Sequence, residues 1–507
     1  MMKLWETVLC ALLSTLISLI FGGLYTIGLF RQKRPKEPPL DKGLIPWLGH
    51  GLSFSKKPFP LLEQMRKKHG DIFTLLVGGQ YIHILMDPHT YRYILKESKS
   101  KLDFGVFASN VVLKVFNFQP TTTHHKIGET GSRKYLRGKS LLALNQILMQ
   151  NLKEILLDSV AGKSGWCQDG LWSFSYKTIF LASFLALFGA VPELEVNSKE
   201  STKERRCKPY EKFFADFQQF DEFFPLIVLN NMDSKTRKEA QRLKNYFWDL
   251  LSVEKIDKRE DISFWLVDQD RQLADAGMNE KMRTQVQLLY LWASQANTGP
   301  VTFWLLAYLL KHPDAMKAIR AEVEQVLKET GQEENPMNLS LQAIKTPLLD
   351  SAVEEVLRLK AGSFVFRTVV EDFRLQMDNG NEYDLRKDDH LLLFPFLGLH
   401  MDPEIYPEPQ TFKYDRFLSP EGKRKEFFKN GKKLRTSIMP FGGGTSMCPG
   451  RFFAISEMKI FAILMLTHFD MELVNPEEEL PSSVEHRIVI GTAHPTRDID
   501  FKFRRRF

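Results

Sequence analysis

The amino-acid sequence predicts a mainly α-helical fold with small β-sheets, carried behind an N-terminal transmembrane helix. Residues 8–30 are uncharged and rich in Leu and Ile. Most of residues 87–270, and the uncharged run 284–310, are typical of helices, whereas strand-like runs are short and few. The chain has 507 residues without an internal repeat or a Gly/Ser linker. We therefore expect one large folded unit behind the anchor.

The N-terminal run is long and apolar enough to cross a bilayer. Arg31, Lys33 and Arg34 follow it, and this charge predicts that the C-terminal side stays in the cytoplasm. A cleaved signal peptide is the alternative, but the run is long for one and no small-residue cleavage site follows. Proline-rich residues 35–39 predict a stiff spacer. We divide the chain into an anchor with its basic stop (1–34), a linker (35–42) and a folded domain (43–507).

Composition limits the compartment and the partners. The four cysteines, Cys10, Cys167, Cys207 and Cys448, are too few and too scattered for a disulfide framework, which favours a reducing compartment. The net charge of +7 fits an acidic redox partner or an anionic membrane surface. Because no basic tract is interleaved with aromatic residues, we exclude a nucleic-acid partner.

Local patterns place the elements in order. Residues 60–70 are helical, and residues 71–77 and 80–86 read as a hairpin joined by Gly78 and Gly79. The helical region that follows contains a charged connection at residues 197–208. The last segment, residues 488–503, reads as two short strands around Pro495.

Residues 284–310 are long enough to span a membrane, but their polar centre favours a long helix inside the folded domain. Pro300 lacks an N–H and would leave the carbonyl of Ala296 without its helical partner, so we expect a kink and a groove there. Asn297 and Thr298 would line this groove with hydrogen-bonding groups. Trp292 precedes Ala296 by one turn and would share its face.

The chemistry is centred on the pattern Phe-x-x-Gly-x-x-x-Cys-x-Gly, formed by Phe441, Gly444, Cys448 and Gly450. An apolar helix is predicted at residues 451–466, with Pro449 at its first position. A cysteine at a helix N-terminus is favoured as a thiolate. An isolated cysteine would read as a buried free thiol, but the full pattern suits an axial ligand to haem iron.

This pattern resembles the haem-binding signature of the cytochrome P450 superfamily. The stretch from Ala293 to Thr298 resembles the oxygen-binding helix of that family, usually Ala-Gly-x-Asp/Glu-Thr-Thr. Here Ala296 replaces the acid and Asn297 replaces the first threonine. The resemblance implies that Asn297 and Thr298 are the catalytic residues, with Asn297 ordering a water, and that residues 43–507 form the haem-thiolate catalytic domain.

The resemblance also implies a structural cluster. Glu355 and Arg358 lie on one face of a predicted helix at i and i+3. Glu-x-x-Arg is a weak motif alone, and we single out this copy because of its position before Cys448. In the family such a pair binds a later arginine, here Arg416, and the three fix the chain around the haem.

Further site residues follow from the resemblance. Arg367 and Cys448 would contact the haem, as a propionate partner and as the axial ligand of the metal. Arg133 and Arg137 are also candidates for the propionates, although a solvated helix face explains them as well. The implied substrate contacts are Trp292, Ala296, Ser363, Phe364 and Phe366. For the two phenylalanines, plain core packing is the alternative interpretation.

The amino-acid sequences at residues 291–298, 439–442 and 448–454 are similar to those of the bile-acid sterol hydroxylases and prostacyclin synthase. Within that group, residues 101–105, 111–116 and 297–300 look most like the sterol 12α-hydroxylases. The resemblance implies a monooxygenase of sterol metabolism and bile acid biosynthesis that uses haem b, O2 and NADPH through NADPH–cytochrome P450 reductase. The implied substrate is 7α-hydroxycholest-4-en-3-one.

The implied location is the endoplasmic reticulum membrane, crossed once, with the catalytic domain on the cytoplasmic face in contact with membrane lipid. Three alternatives remain open. They are a sterol 7α-hydroxylase, an endoperoxide isomerase like prostacyclin synthase, and a haem-thiolate sensor without enzymatic activity. An isomerase would turn over without NADPH and reductase, and a sensor would not turn over.

Overall fold

The computed structural model describes residues 2–26, 31, 34–45, 47–160, 162, 165–195, 204–332 and 344–506. Contacts divide the chain into two compact units. Unit 1 comprises residues 1–107, 363–407 and 428–446, and unit 2 comprises residues 108–362, 408–427 and 447–507. Helices dominate and the sheets are small, as the sequence predicts.

The helices are α1 Met2–Thr26, α2 Gly51–Lys56, α3 Pro58–His69, α4 Pro88–Lys96, α5 Gly105–Phe116, α6 Thr122–Tyr135, α7 Gly138–Asp158, α8 Leu171–Phe188, α9 Pro192–Glu195, α10 Glu204–Val228, α11 Ser234–Leu250, α12 Phe264–Asp275, α13 Glu280–Gln295, α14 Thr298–Lys311, α15 Pro313–Glu329, α16 Pro347–Lys360, α17 Arg451–His468 and α18 Glu485–Ile488. Short 3-10 turns lie at Val253–Lys258 and Gly444–Ser446, and a π-helical turn lies at Phe396–His400.

The strands are β1 Leu40–Asp41, β2 Ile72–Val77, β3 Gln80–Leu85, β4 Leu102–Asp103, β5 Cys167–Gly170, β6 Val365–Val369, β7 Phe373–Gln376, β8 Glu382–Leu385, β9 His390–Leu393, β10 Phe428–Lys429, β11 Lys432–Lys433, β12 Phe469–Leu473 and β13 Asp500–Arg505.

Local chemistry explains many helix starts. The side chains of Asp87, Asp233 and Asn279 accept hydrogen bonds from backbone N–H groups in the first turns of α4, α11 and α13. Pro58 and Pro313 stand where α3 and α15 begin, at positions that need no N–H.

Unit 1 is built on a six-stranded sheet in the order β1-β2-β3-β9-β6-β4. Its centre is the predicted hairpin, in which β2 and β3 pair antiparallel from Ile72–Leu85 to Val77–Gln80. Gly78 and Gly79 both have positive φ, which the tight turn requires. Leu40 and Asp41, at the end of the predicted linker, pair with β2 as an edge strand.

Unit 2 is helical, and α8 and α14 form its core. Both are buried on nearly all sides, and α8 packs against α7 as well as α14. The close approach of α8 and α14 depends on Gly299, since a Cβ there would lie 2.1 Å from the ring of Tyr176. The helix α17 follows Cys448 and packs against α7 and α14.

Among the residues that the structure describes, two helices are long and apolar enough to cross a membrane, Trp5–Leu24 and Leu171–Phe188. Trp5–Leu24 is 0% buried and agrees with the predicted anchor, whereas Leu171–Phe188 is 78% buried and serves as a core helix. Residues 27–30 at the end of the predicted run lie outside the described residues, as do residues 197–203 of the predicted charged connection.

Three local predictions are corrected. Residues 488–503 contain one strand, β13, preceded by α18 and by irregular chain, because Pro495 forms an isolated bridge with Ser483 rather than a strand. The helix α17 begins at Arg451, so Pro449 precedes it. The long helix predicted at residues 284–310 is interrupted at Ala296 and Asn297, one turn before Pro300.

Candidate functional site

The glycine loop before Cys448 is pressed against α4. Gly444 has a φ of +69°, and a Cβ there would lie 2.4 Å from the carbonyl oxygen of Leu95. A Cβ on Gly443 would lie 2.8 Å from the Leu95 side chain. The glycines therefore permit a backbone approach that a larger residue would block. Phe441, at the start of this loop, is half-buried.

Arg367 in β6 holds the same loop. It is buried, its Nη2 donates to the carbonyl of Gly443 at 3.2 Å, and its Nη1 donates to the carbonyl of Phe366 at 2.7 Å. Burial lowers the pKa of Arg367, and the nearby charge of Asp103 opposes this. Arg367, which the sequence predicts to contact a haem propionate, therefore also fixes this loop.

Cys448 is a free cysteine that solvent reaches. Desolvation by surrounding protein atoms raises the pKa of its thiol, while the backbone N–H groups of Gly450 and Arg451 hydrogen-bond the sulfur and oppose this rise. A reachable thiol with oriented N–H donors is suited to bind a metal cation, and coordination would itself deprotonate the sulfur. A Cβ on Gly450 would lie 4.0 Å from Sγ, which is an ordinary van der Waals distance, so packing against the sulfur does not by itself require a glycine here.

Positive charge surrounds the Cys448 segment within unit 2. Desolvation lowers the pKa of Arg451, and the charges of Arg137 and Arg133 lower it further. The Arg137 guanidinium lies over the ring of Phe452 at 5.2 Å, and its Nε is buried without a hydrogen-bond partner in the part of the chain that the structure describes. Arg133 is exposed and pairs with Glu129. A cysteine thiol and, in the same unit, a buried guanidinium nitrogen with an unmet donor fit haem, whose iron takes a thiolate and whose propionates take cations.

The broken turn between α13 and α14 has a different environment from the one predicted. Asn297 Oδ1 accepts from the backbone N–H of Thr492 at 3.1 Å. The hydroxyl of Thr298 hydrogen-bonds the buried carboxyl of Glu457, which the Ser183 hydroxyl also contacts. Ala293, one turn before the break, is exposed, and Trp292 and Ser294 on either side of it are half-buried.

Trp292 and Ala296 face one cluster, as their spacing predicts. Trp292 Nε1 donates to Asp221 at 2.8 Å, and the ring stacks on Phe224 at 3.9 Å. The carbonyl of Ala296, which Pro300 leaves without a helical donor, accepts from Arg487 at 3.2 Å. Sequence reasoning missed Asp221, Arg487 and Glu457, because no local pattern signals contacts between distant segments.

The predicted Glu355, Arg358 and Arg416 are brought together. Arg358 binds both carboxylate oxygens of Glu355 at 2.7 and 2.8 Å, and Arg416 Nε donates to Glu355 Oε1 at 2.7 Å. All three side chains are buried, and the remaining arginine donors reach the carbonyls of Pro409 and Thr411. One carboxylate thus organises the chain between residues 408 and 416.

The predicted aromatic contacts lie in unit 1. Phe364 is buried and packs on Phe394 at 4.5 Å, and Phe366 is half-buried and stacks on Phe107 at 4.0 Å. Ser363, just before them, is half-buried. The environment of Phe364 fits core packing, whereas Phe366 keeps part of its surface open.

A sequence model described as cytochrome P450 matches residues 38–501. The chain belongs to the cytochrome P450 family. Membership of this family implies an axial thiolate ligand to haem and O2-dependent chemistry. The six-stranded sheet and the helical unit described above are the fold of this family member.

Relatives are similar over nearly the whole chain. A protein named 7-alpha-hydroxycholest-4-en-3-one 12-alpha-hydroxylase from Homo sapiens is 44% identical, covering 99% of each chain. A 5-beta-cholestane-3-alpha,7-alpha-diol 12-alpha-hydroxylase from Sus scrofa is 43% identical, over 100% of this chain and 99% of that one. A prostacyclin synthase from Rattus norvegicus is 39% identical, over 94% and 95% of the two chains.

Proposed function

We propose that this protein is a haem-thiolate monooxygenase that hydroxylates the 12α position of a 7α-hydroxylated sterol, of which 7α-hydroxycholest-4-en-3-one is the first candidate. The observation that carries the proposal is 44% identity over 99% of the chain to a relative with that named activity. A second relative, 43% identical, carries a name with the same position and a saturated sterol. Together they support a sterol with a 7α-hydroxyl group and leave the state of the A ring to experiment.

Cys448 would supply the axial thiolate, oriented by the N–H groups of Gly450 and Arg451. Arg367 and Arg137 would meet the propionates, and Phe441, Gly444 and Gly450 would shape the loop. Bound haem b would supply the activation of dioxygen that hydroxylation requires. Glu355, Arg358 and Arg416 would be structural, since their charges are satisfied within the cluster.

Proton handling falls to the broken turn. Asn297 would order a water through its carboxamide, whose oxygen is already held by Thr492. Thr298 would act through the hydroxyl that contacts Glu457. Trp292, Ala296, Ser363, Phe364 and Phe366 are the proposed substrate contacts.

We further propose that electrons come from NADPH through NADPH–cytochrome P450 reductase, as is typical of the family. The apolar helix Trp5–Leu24 supports membrane anchoring, and the basic residues after it favour a catalytic domain on the cytoplasmic face of the endoplasmic reticulum. Residues 43–507 would then form the catalytic domain behind an anchor and a short linker.

The test uses the full chain in lipid with reductase and NADPH. We expect 7α-hydroxycholest-4-en-3-one to give a 12α-hydroxylated product, identified by mass spectrometry against standards, and Cys448→Ser to give none. Conversion of cholesterol to its 7α-alcohol instead would move the protein to the sterol 7α-hydroxylases. Conversion of a prostaglandin endoperoxide without NADPH would assign it to the isomerases, where the prostacyclin synthase relative stands.

A further inference from the structure

The break between α13 and α14 is stabilised by a side chain from a distant segment. Pro300 has no N–H, so the carbonyl of Ala296 lacks its helical donor. Arg487 Nη2 takes this place at 3.2 Å, and the same nitrogen lies 3.0 and 3.1 Å from the two carboxylate oxygens of Asp221. Arg487 is 3% exposed and Asp221 is 1% exposed. The guanidinium thus joins α10 to the broken turn.

The ion pair also orients an aromatic ring. Asp221 Oδ1 accepts from Trp292 Nε1 at 2.8 Å, and the ring of Trp292 lies parallel to Phe224, with 3° between the planes. His494 Nε2 lies 3.6 Å from Asp221 Oδ2. Because Trp292 is held by Asp221, and Asp221 is held by Arg487, a loss of the guanidinium would release both the ring and the Ala296 carbonyl.

The chain after Arg487 completes the arrangement, and we call residues 487–492 the capping segment. Thr492 donates from its backbone N–H to Asn297 Oδ1 and from its hydroxyl to the Asn297 carbonyl, both at 3.1 Å. Position 491 requires a glycine, because a Cβ there would lie 2.3 Å from Asn297 Oδ1 and 2.8 Å from Arg487 Nη1. Side-chain and backbone groups of one segment thus fix two successive residues of the break.

A stability role alone does not account for this arginine. Its Nε and Nη1 are buried and have no hydrogen-bond partner among the described residues. Unmet buried donors cost stability, and a fully satisfied packing would avoid them.

We propose that Arg487 is a positioning residue that, through Ala296 and Asp221, holds the broken turn and the Trp292 ring, and thereby sets which substrate carbon is hydroxylated. The inference rests on the proposed function for its regiochemical part. Its structural part, control of the broken turn, stands on the contacts themselves.

The test compares Arg487→Lys with Arg283→Lys in the full-length holoenzyme. Arg283 is the matched control, because it pairs with Asp270 in a half-buried site near the start of α13, the helix that ends at the broken turn. We expect Arg487→Lys to speed amide hydrogen exchange about tenfold in peptides covering residues 290–302, as loss of a charge-assisted hydrogen bond would do. Arg283→Lys should leave that segment unchanged.

Pro300→Ala supplies the rescue. It restores the N–H that Ala296 lacks in the native helix, so the double variant with Arg487→Lys should regain part of the lost protection. If Arg487→Lys alone is unstable, the comparison of Pro300→Ala with the double variant still decides the point, because the restored N–H should make exchange at this turn much less dependent on Arg487.

Catalysis separates positioning from stability. With haem content unchanged, Arg487→Lys should lower the share of the wild-type sterol product, raise products hydroxylated at other carbons and waste NADPH, whereas Arg283→Lys keeps the product ratio. Unchanged exchange, or faster exchange with an unchanged product ratio, would overturn the proposal. If wild type forms no 12α product, the proposed function fails, and the exchange and rescue results still decide whether Arg487 controls the turn.

Discussion

Glu457 in α17 is a carboxyl group in the core of unit 2. It is 1% exposed, and its hydrogen-bond partners are the hydroxyls of Ser183 and Thr298. Burial raises the pKa of Glu457 to about 8, and the two hydroxyls oppose this rise. The group is therefore protonated at neutral pH, and a proton is stored beside the residue that follows Asn297.

This protonation predicts a pH-dependent stability. Since the pKa of Glu457 is higher in the folded than in the unfolded state, its contribution is fully present below pH 4.5 and is lost as pH rises to about 8. Glu457→Gln mimics the neutral acid. Its stability relative to wild type should rise by up to about 1.4 kcal/mol per pH unit between pH 6 and 8, measured by denaturant unfolding. A difference that stays constant with pH would contradict the assigned protonation.

Glu355 and the residue before it, Glu354, offer a second test at the residue scale. Glu355→Gln leaves Arg358 and Arg416 without their shared buried anion, so we expect a loss of about 3–5 kcal/mol, seen as a lower melting temperature or as failure to retain haem. Glu354→Gln is the control, because Glu354 pairs with Arg424, whose side chain is 52% exposed, and should cost at most about 1 kcal/mol. Equal losses would deny the cluster its structural role.

Site residues could be predicted from the sequence where they belong to a local pattern. Glu355 and Arg358 share a helix face, and Cys448 lies in a motif with fixed spacing. The contact of Arg487 with Asp221 spans 266 positions, so no local spacing could signal it. The same applies to Thr298 and Glu457, where a hydroxyl predicted to line a groove instead meets a buried carboxyl.

At the level of elements, a kink before Pro300 was predictable, because a missing N–H acts on the carbonyl four residues earlier. The structure goes further and interrupts the predicted helix at Ala296 and Asn297. The donor that replaces the missing N–H is Arg487 of the capping segment. The rest of that segment, residues 488–492, lies in the region that the sequence predicted to form strands. That segment bends because Gly491 must approach Asn297 closely and Pro495 cannot continue a ladder. Elements set by local chemistry were therefore predictable, and those set by long-range contacts were not.

A second element-scale feature is the junction behind the anchor. Arg31 reads in the sequence as part of a basic stop, yet its side chain is 8% exposed. Its Nη1 lies 2.7 Å from Asp389, its Nη2 lies 3.0 Å from Glu37, and its guanidinium lies over the Tyr81 ring. His83 also binds Asp389, at 3.0 Å. Arg31 thus docks the basic stop that follows the anchor on the sheet of unit 1.

Removal of this contact should loosen the junction. Arg31→Ala leaves Glu37 and Asp389 buried with less compensation, so we expect a loss of about 2–4 kcal/mol and faster proteolysis between residues 31 and 42. Arg34→Ala is the control, because its pair with Asp372 is exposed on both sides and should cost under about 1 kcal/mol. Equal protease sensitivity in the two variants would show that the Arg31 ion pairs do not hold this junction.

At the scale of the whole molecule, the question is which segment holds the protein in the membrane. In the described part of the chain, two helices meet the length and hydropathy needed. Leu171–Phe188 is buried among α7 and α14, whereas Trp5–Leu24 is 0% buried. An apolar helix that already packs in a protein core has no surface left for lipid. The N-terminal helix should therefore provide the integral attachment.

A deletion of residues 2–30, which keeps Arg31 and its ion pairs, separates these helices. We expect the full chain to stay in the membrane pellet after alkaline carbonate extraction and the truncated chain to be released, with its haem absorption retained. A deletion of residues 2–34 serves as the comparison, and it should also be released but should melt at a lower temperature, because it lacks Arg31. If the first truncated chain resists carbonate, a segment other than Trp5–Leu24 must be inserted in lipid, and the core position of Leu171–Phe188 would be wrong.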